Sequence, residues 1–376
     1  LRNILMEEWV MSKKPFDFWI FITVLILLSL GIIMVFSASA AYSYNYMGGD
    51  TYYFLKKQLA SAIFGFAAMF VTMNINYRKL SRWSPVFLIG SIVLLILVRI
   101  PGIGREINGA WRWIYIGPFP FQPSEITKLA VILFFSYSLS KKKNQLNSFF
   151  KGLMPYILIL GVIAGLLLLE PHLSGTILIM AVASIILFSA GAKIKHFILL
   201  SIPAAAGLVL AIALEPYRLV RFTSFLNPWE DKQGAGWQII NSLYAIGSGG
   251  LFGRGLGRSL QKFLYIPEPH NDFIFSVLAE ELGLIGVLVV LLLFLIFIWR
   301  GMRVSLNAPD VLGSLIASGV TSLVAVQVIV NVAVVTSSMP VTGMPLPFFS
   351  YGGTSLVFLM SGIGILLNIS RHSNYE

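Results

Sequence analysis

Residues 273–299 read FIFSVLAEELGLIGVLVVLLLFLIFIW, and this stretch decides the fold. No charged side chain occurs in its last 18 residues, 282–299. An α-helix needs ~20 residues to cross the hydrocarbon core of a bilayer. Backbone N–H and C=O groups in that core find no water, so the helix must pair them internally. The stretch therefore predicts a membrane-spanning α-helix.

The composition of the whole chain extends this prediction. Apolar residues make up 57% of the 376 residues and charged residues 11%, whereas soluble domains are roughly a quarter charged. We expect an all-α polytopic membrane protein with about ten transmembrane helices, forming one domain over residues 1–376. The predicted spans are 17–38, 57–75, 83–100, 123–140, 152–169, 174–191, 196–214, 273–299, 311–336 and 345–369.

Lysine and arginine side chains predict the orientation. With both termini in the cytoplasm, the inner segments hold more of these residues than the short outer loops, as is usual in membrane proteins. The net charge of +11 therefore reflects topology and anionic lipid headgroups, not nucleic-acid binding. The inner set is Lys13, Lys14, Arg78, Lys79, Arg82, Lys141, Lys142, Lys143, Lys151, Lys193, Lys195, Arg300, Arg303 and Arg371, and the outer set is Lys56, Lys57, Arg105 and Arg112.

This orientation places three polar segments outside the membrane: 101–122, 215–272 and 337–354. The second, between the seventh and eighth helices, has 58 residues, and so long a loop in a compact protein usually serves a function. The chain has no cysteine, which excludes disulfides and thiolate nucleophiles. Its four histidines lack the HExxH spacing, which argues against a zinc enzyme.

Charged residues open the fourth predicted span, in NGAWRWIYIGPFPFQPSEITKLA (108–130). Glu125 and Lys128 are three residues apart, so they share a helix face and can pair. Charges inside a span usually face a cavity or a partner, but an ion pair that only stabilises the helix end fits equally well. Arg112 is also open to two interpretations, because it either extends to lipid headgroups or binds a phosphate.

Two stretches of the loop 215–272 carry local signals. WQIINSLYAI (237–246) places Trp237, Ile240 and Tyr244 on one face, which predicts a helix lying on the membrane surface. In GSGGLFGRGLGRS (247–259), flexible backbone beside Arg254 and Arg258 suits a pyrophosphate. A mobile hinge fits that glycine spacing as well.

The end of the loop, YIPEPHNDFIFSVLAEELGLIG (265–286), is acidic. Asp272 stands where the loop becomes the eighth helix, a usual position for an N-cap. A carboxylate at the edge of an apolar cavity can also have a raised pKa that suits a general base. Asp272, Ser276 and Glu280 share one helix face. We expect an acidic cluster at this boundary, formed by Glu268, His270, Asp272, Glu280 and Glu281.

The last outer segment, NVAVVTSSMPVTGMPLPFFSYGGTS (331–355), contains prolines and glycines that forbid a continuous helix between the last two spans. Broken backbone at membrane depth is tolerated mainly where it lines a cavity or packs against protein. Its hydroxyl groups, from Ser337 to Ser355 and including Ser350, either bind a sugar or satisfy that backbone.

Taken in order along the chain, these motifs resemble those of the SEDS family, the shape, elongation, division and sporulation proteins. The resemblance covers essentially the whole chain, and it is nearest to the division and sporulation members. It rests on NGAWRWI, QPSEITKLA, FLNPWED (225–231), AIGSGGLFGRGLG (245–257), PEPHNDFIFSVLAEELGLIG and PVTGMPLPFFSYGGTS.

The resemblance implies a glycosyltransferase of the bacterial cytoplasmic membrane. Such an enzyme polymerises lipid II into peptidoglycan glycan strands at the outer face, inverts the anomeric carbon and releases undecaprenyl pyrophosphate. It works with a single-span class B penicillin-binding protein, a transpeptidase. A divalent cation, Mg²⁺ or Mn²⁺, is an open expectation, since the sequence has no dedicated ligand cage.

Residue by residue, the resemblance makes Asp272 the essential loop aspartate and predicted general base. Two departures stand out: EPHLSG has His172 where many relatives carry aspartate, and SSMP (337–340) replaces a glycine and an aliphatic residue before the proline. A lipid II flippase and a non-catalytic scaffold for the transpeptidase are the alternative functions. The predicted substrate-binding residues are Arg112, Glu125, Lys128, Arg254, Arg258, His270 and Ser350.

Overall fold

The computed structural model describes residues 15–107, 109–117, 119–142 and 148–373. These residues form thirteen α-helices, a π-helical turn at Phe149–Leu153 and a three-stranded sheet. The helices are α1 (Phe18–Tyr46), α2 (Tyr53–Asn74), α3 (Tyr77–Arg82), α4 (Ser84–Leu97), α5 (Pro123–Lys141), α6 (Met154–Leu169), α7 (Leu173–Ser189), α8 (Ile194–Ala213), α9 (Pro216–Leu226), α10 (Trp237–Gly249), α11 (Ile274–Leu306), α12 (Val311–Val335) and α13 (Gly353–Ser370).

Each of the ten predicted spans overlaps a helix. Within the described ranges, seven helices are long and apolar enough to cross a membrane: α1, α2, α6 with its π-helical turn, α8, α11, α12 and α13. The apolar helices α4 and α7 are shorter, and α5 carries Glu125, Lys128 and Lys141. The all-α polytopic membrane fold is therefore confirmed.

Two predicted spans differ from the observed helices. The span 345–369 is helical only from Gly353, because Pro345 and Pro347 lack backbone donors and Phe348 has a left-handed φ of 66°. The span 273–299 continues to Leu306 but is broken at Gly283, whose φ and ψ are 66° and −169°. Both interruptions lie beside the outer loops.

A small antiparallel sheet, absent from the prediction, occupies most of the first outer segment. Its strands are β1 (Gly104–Ile107), β2 (Ala110–Ile116) and β3 (Phe119–Phe121), in the order β1-β2-β3. The alternation in β2 puts Trp111, Trp113 and Tyr115 on one face and Arg112 on the other. The sheet therefore separates Arg112 from its aromatic neighbours and fixes its direction.

Helix α12 lies at the centre of the bundle, where it packs against α5, α7 and α11. Helix α13 packs along α2. Near the cytoplasmic end of this second pair, the Asn368 side chain donates from Nδ2 to the Met73 carbonyl (2.8 Å) and accepts from the Tyr77 amide (3.1 Å). A buried amide thus joins three elements on the side of the bundle opposite the outer loops.

The loop 215–272 contains helices α9 and α10. The predicted helix at 237–246 is confirmed, and Tyr244 on its predicted face is exposed, while its position on the membrane surface stays a prediction. The face that packs against α11 includes Ser242, which shares a 2.7 Å hydrogen bond with Ser276 and donates to the Val335 carbonyl (2.7 Å). Helix α10 is therefore part of the protein core at the outer end of α11 and α12.

Candidate active site

The backbone that carries Asp272 is held by three consecutive carbonyl groups. Each of these carbonyls accepts one hydrogen bond from α12 or from the non-helical segment 336–352. The bonds run from Tyr351 N to His270 O (2.9 Å), from Ser350 Oγ to Asn271 O (2.8 Å) and from Asn331 Nδ2 to Asp272 O (2.8 Å).

The Asp272 side chain does not cap a helix. Helix α11 begins at Ile274, and its N-cap position, Phe273, makes no side-chain capping bond. In the part of the chain that the structure describes, no hydrogen-bond donor is assigned to the half-buried Asp272 carboxylate. The N-cap interpretation is therefore wrong, and the carboxylate is left available for chemistry.

The surroundings of Asp272 raise the pKa of its carboxyl to about 6. Burial is the main cause, and the negative charge of Glu268 adds to it, whereas the cations Arg221 and Arg112 act in the opposite direction. A pKa close to neutral is what general-base catalysis requires, because the group is mostly ionised yet still basic. Arg221, on α9, was not among the residues predicted from sequence.

Glu125 and Lys128 line a cavity between α5, α12, α13 and the segment 345–350. The Lys128 Nζ atom lies 2.7 Å from each carboxylate oxygen of Glu125, and both side chains are buried. The predicted pair therefore exists and also faces a cavity, so the two interpretations of the spacing are compatible. The cavity encloses about 470 Å³ including its open mouth, and is lined by Glu125, Lys128, Leu129, Leu323, Gln327, Pro345, Leu346, Pro347, Phe348, Ser350, Ser355, Leu356, Phe358 and Leu359.

Ser350 connects this cavity to the Asp272 segment. It lines the cavity, while its hydroxyl accepts from the Leu346 amide (2.8 Å) and donates to the Asn271 carbonyl (2.8 Å). The hydroxyl thus satisfies the broken backbone, which was one of its two predicted roles. Its contact with substrate stays a prediction.

Arg112 points from strand β2 into the protein. Its Nε donates to the Glu170 carbonyl (3.1 Å), and its Nη2 donates to the Pro171 carbonyl. The guanidinium is half-buried, so the interpretation in which it extends to lipid headgroups does not fit. Its charge acts on Asp272, which places a cation near the predicted base. Phosphate binding stays a prediction.

The turn EPHLSG (170–175) lies against Arg112 and contributes two buried titratable side chains. Burial raises the pKa of Glu170 to about 8, against the influence of Arg112 and Arg99. Burial also lowers the pKa of His172 to about 3, and the positive charges of Arg112 and Lys128 lower it further. Both side chains are therefore uncharged near neutral pH, and His172 lies close to the two cations of the site.

His270 is enclosed by aromatic rings. Its ring centroid lies 4.1 Å from that of Phe54, 5.2 Å from Tyr42 and 5.8 Å from Tyr351. The side chain is 2% exposed, and burial lowers its pKa to about 4. The structure therefore uses His270 as a neutral packing residue that anchors the loop before Asp272, and substrate binding by it stays a prediction.

The glycine-rich run 247–259 is bound to the break in α11. The Arg254 amide donates to the Glu280 carbonyl (2.9 Å), and the Leu284 amide donates to the Gly250 carbonyl (2.9 Å). A Cβ on Gly283 would lie 2.2 Å from the Gly253 nitrogen, so the two backbones touch where glycine is required. The glycines thus serve close packing, and the mobile-hinge interpretation is not supported.

Glu280 and Glu281 bind the loop rather than Asp272, so the predicted acidic cluster is wrong for these two residues. The Lys262 Nζ atom lies 2.8 Å from Glu281, and both side chains are almost fully buried. Arg254 lies 3.6 Å from Glu280, while Arg258 is exposed. Glu280 also accepts from Ser259 Oγ (2.6 Å), Leu260 N (2.9 Å) and Gln261 N (3.2 Å).

The side chains near Asp272 do not form a metal cage. Across the described ranges, no group of three or more histidine, aspartate or glutamate side chains is arranged to hold an ion. A divalent cation therefore stays a prediction.

Comparison with known proteins shows the family of this chain. The family model for FtsW, RodA and SpoVE, described as "Cell cycle protein", matches residues 18–375. "Stage V sporulation protein E" of Bacillus subtilis (strain 168) is 46% identical over 331 residues, or 88% of this chain and 90% of that protein. "Probable peptidoglycan glycosyltransferase FtsW" of Geobacter sp. (strain M18) is 43% identical over 321 residues, or 85% of this chain and 88% of that protein.

Solved structures give the same result. The structure described as "Structural coordination of polymerization and crosslinking by a peptidoglycan synthase complex" superposes with a TM-score of 0.78 and 28% identity, over 96% of this chain and 99% of that one. The Rod shape determining protein RodA of Thermus thermophilus gives 0.71 and 28%, over 98% and 100%. This multi-pass bacterial membrane protein therefore belongs to the SEDS family of cell cycle proteins, together with FtsW, RodA and SpoVE.

Proposed function

We propose that this protein is a peptidoglycan glycosyltransferase that polymerises lipid II at the outer face of the cytoplasmic membrane. The observation that carries the proposal is the Asp272 carboxylate, which has a pKa of about 6 and accepts no hydrogen bond from the residues that the structure describes. Its segment is joined through Ser350 to a cavity that is lined by the buried Glu125–Lys128 pair. Relatives that are 43–46% identical and named probable peptidoglycan glycosyltransferase support the activity.

Asp272 acts as the general base in this proposal. Its carboxylate accepts the proton of the 4-hydroxyl group on the acceptor sugar of lipid II. That oxygen attacks the anomeric carbon of the growing glycan from the face opposite the pyrophosphate. The new C–O bond forms as the bond to pyrophosphate breaks, so the anomeric configuration inverts and undecaprenyl pyrophosphate leaves with the electron pair.

The cations of the site stabilise the leaving group. Lys128 and Arg112 are held within the protein by Glu125 and by the 170–171 carbonyls. Fixed positive groups in a site that excludes water stabilise developing negative charge more than solvent does. Arg221 adds a third positive charge close enough to affect Asp272. Arg254 and Arg258 lie beside the α11 break at Gly283, eleven residues after Asp272 in the chain, and belong to the periphery of the site in this proposal.

A class B penicillin-binding protein is the proposed partner. The solved structure with the TM-score of 0.78 is that of a peptidoglycan synthase complex whose description names both polymerisation and crosslinking. Crosslinking is transpeptidase chemistry, which is a different reaction from the glycosyl transfer proposed here. A second protein would therefore supply it.

Polymerisation by the purified full-length chain, with and without its own transpeptidase, tests the proposal. Detergent-solubilised wild-type protein should convert lipid II into glycan strands, while Asp272→Asn should retain less than about 1% of that rate because the amide cannot accept the proton. Asp310→Asn is the matched control. Asp310 caps α12 on the cytoplasmic side and pairs with Arg78; asparagine caps helices equally well, and the loss of a solvent-exposed ion pair costs little.

Three results would contradict the proposal. Glycan synthesis by Asp272→Asn at the wild-type rate would remove Asp272 from the chemistry. Absence of polymerisation in detergent, together with lipid II transfer across sealed vesicles, would favour the flippase. Normal cell-wall synthesis in cells that carry only Asp272→Asn would favour the scaffold.

A further inference from the structure

Asn331 uses one buried side chain to join two segments of the site. It lies on α12 and is 1% exposed. Its Nδ2 group donates to the Asp272 carbonyl (2.8 Å) and to the Met344 carbonyl (2.8 Å). An amide NH₂ group has two hydrogens, so both are used. The first acceptor belongs to the residue of the proposed base, and the second belongs to the broken segment between α12 and α13.

The second contact also bears on Asp272. Met344 follows Gly343, which has a φ of 72°, and a Cβ built on Gly343 would lie 3.3 Å from Asp272 Oδ2. The backbone at 343 therefore passes directly beside the carboxylate. By holding the carbonyls at 272 and 344, Asn331 sets both the position of the base and the distance to the backbone that shields it.

The three residues that donate hydrogen bonds to residues 270–272 lie in different kinds of backbone structure. Ser350 and Tyr351 lie in the non-helical segment 336–352, whereas Asn331 lies in the central helix α12. In the most apolar stretch of α12, 72% of the residues are buried. The surrounding helices therefore hold α12 in a fixed position. Sites supported by packed helices hold their geometry better than sites supported by loops.

We infer that Asn331 is a positioning residue for the proposed general base, acting on Asp272 through its main chain and through the neighbouring backbone at Gly343. The inference rests on the proposed function, because it gives Asn331 a role only if Asp272 performs the proton transfer. A misplacement of about 1 Å in a catalytic group costs on the order of 100-fold in rate. Loss of both donors should therefore reduce turnover without removing any contact to lipid II.

The test compares Asn331→Leu with Asn368→Leu in the purified full-length protein, with kcat and KM for lipid II measured between pH 5 and 8. Asn368 is the matched control, because its buried side chain also bridges separate elements but lies at the cytoplasmic end. We expect Asn331→Leu to lower kcat by ~10- to 100-fold with KM unchanged within about twofold. Asn368→Leu should leave kcat per folded molecule and KM as in the wild type.

The pH profile distinguishes positioning from general support of the fold. The groups that act on Asp272 are Glu268 from its own loop, Arg221 from α9 and Arg112 from β2. These charges remain in Asn331→Leu, so a loosened segment that admits water should lower the pKa of Asp272. The acidic limb of kcat should then move to lower pH. A loss of folded protein alone would lower the measured rate at every pH and leave the midpoint of the pH profile unchanged.

Asn331→Gln keeps the amide on a longer side chain and should recover part of the turnover. If Asn331→Leu does not fold, the same measurements are made on Asn331→Gln. Wild-type kcat and midpoint in the folded Asn331 variants would overturn the inference. An inactive Asp272→Asn beside fully active Asn331 variants would overturn it alone and leave the proposed function standing. An active Asp272→Asn would overturn both.

Discussion

In the proposed mechanism Asp272 must be ionised to accept a proton, so polymerisation should follow the titration of its carboxyl group. With a pKa of about 6, roughly a tenth of the molecules carry the ionised carboxylate at pH 5 and roughly nine-tenths at pH 7. Turnover should therefore rise about tenfold between these two values and level off above them. Because a base must be ionised to act, any change that raises the pKa of Asp272 lowers turnover at pH values below that pKa.

Two charges near Asp272 should move this titration in opposite directions. Removing the cation in Arg221→Gln takes away an influence that lowers the pKa, so the midpoint should rise. Removing the anion in Glu268→Gln takes away an influence that raises it, so the midpoint should fall. Arg221 is exposed, and solvent screening limits such effects, so we expect a shift of a few tenths of a pH unit for Arg221→Gln.

The assay is the initial rate of glycan formation from saturating lipid II across pH 4.5 to 8. Arg303→Gln, which removes an exposed cation at the cytoplasmic end of α11, is the control and should not move the midpoint. Shifts of the same sign in the Arg221 and Glu268 variants would refute the reasoning. A midpoint near the ordinary aspartate value would also refute it, because burial would then not control the base.

Three further changes test other parts of the structure. Gly343→Ala should lower kcat, since its φ of 72° costs roughly 1 kcal/mol for alanine and the new Cβ would lie 3.3 Å from the Asp272 carboxylate; a wild-type rate would contradict this contact. Lys262→Met should destabilise the protein by about 3 kcal/mol by leaving Glu281 buried and unpaired, and adding Glu281→Leu should recover part of the loss in thermal unfolding in detergent. Exchanging Glu125 and Lys128 should keep their pair but move the positive charge about a turn along α5; unchanged turnover would mean that Lys128 does not meet the pyrophosphate.

Hydropathy predicts the membrane helices well because the bilayer imposes one strong condition on every span. It fails at residues 345–352, which are apolar enough for a span but contain Pro345 and Pro347. Their missing N–H groups and the left-handed Phe348 keep this piece out of α13. Protein packing replaces lipid around it, so apolar character there reflects burial rather than membrane crossing.

The outer sheet shows a different limit. By composition, the aromatic residues of β2 fit a belt at the membrane interface as well as a strand. The alternation of AWRWIYI in β2 is a strand signal and would have predicted that Arg112 points away from the tryptophans. The aromatic composition alone does not predict the direction in which the Arg112 side chain points.

The Glu125–Lys128 ion pair and the raised pKa of Asp272 were predictable, because each charge stands in an apolar context. The site was not predictable where tertiary contacts decide between partners. Glu280 and Glu281 look like neighbours of Asp272 in sequence, yet both bind the loop 259–262. Arg221 lies 51 residues before Asp272 in an amphipathic helix, and no local pattern connects the two.

The three hydrogen bonds to residues 270–272 end on main-chain carbonyl oxygens and do not involve the side chain of Asp272. The side chain at position 272 can therefore be replaced while these main-chain hydrogen bonds are kept. A variant that lacks the proton acceptor keeps the cavity lined by Glu125 and Lys128 and the position of Arg112. Such a protein should hold donor and acceptor lipids together without joining them, which makes it a means of capturing the reactant complex for direct observation.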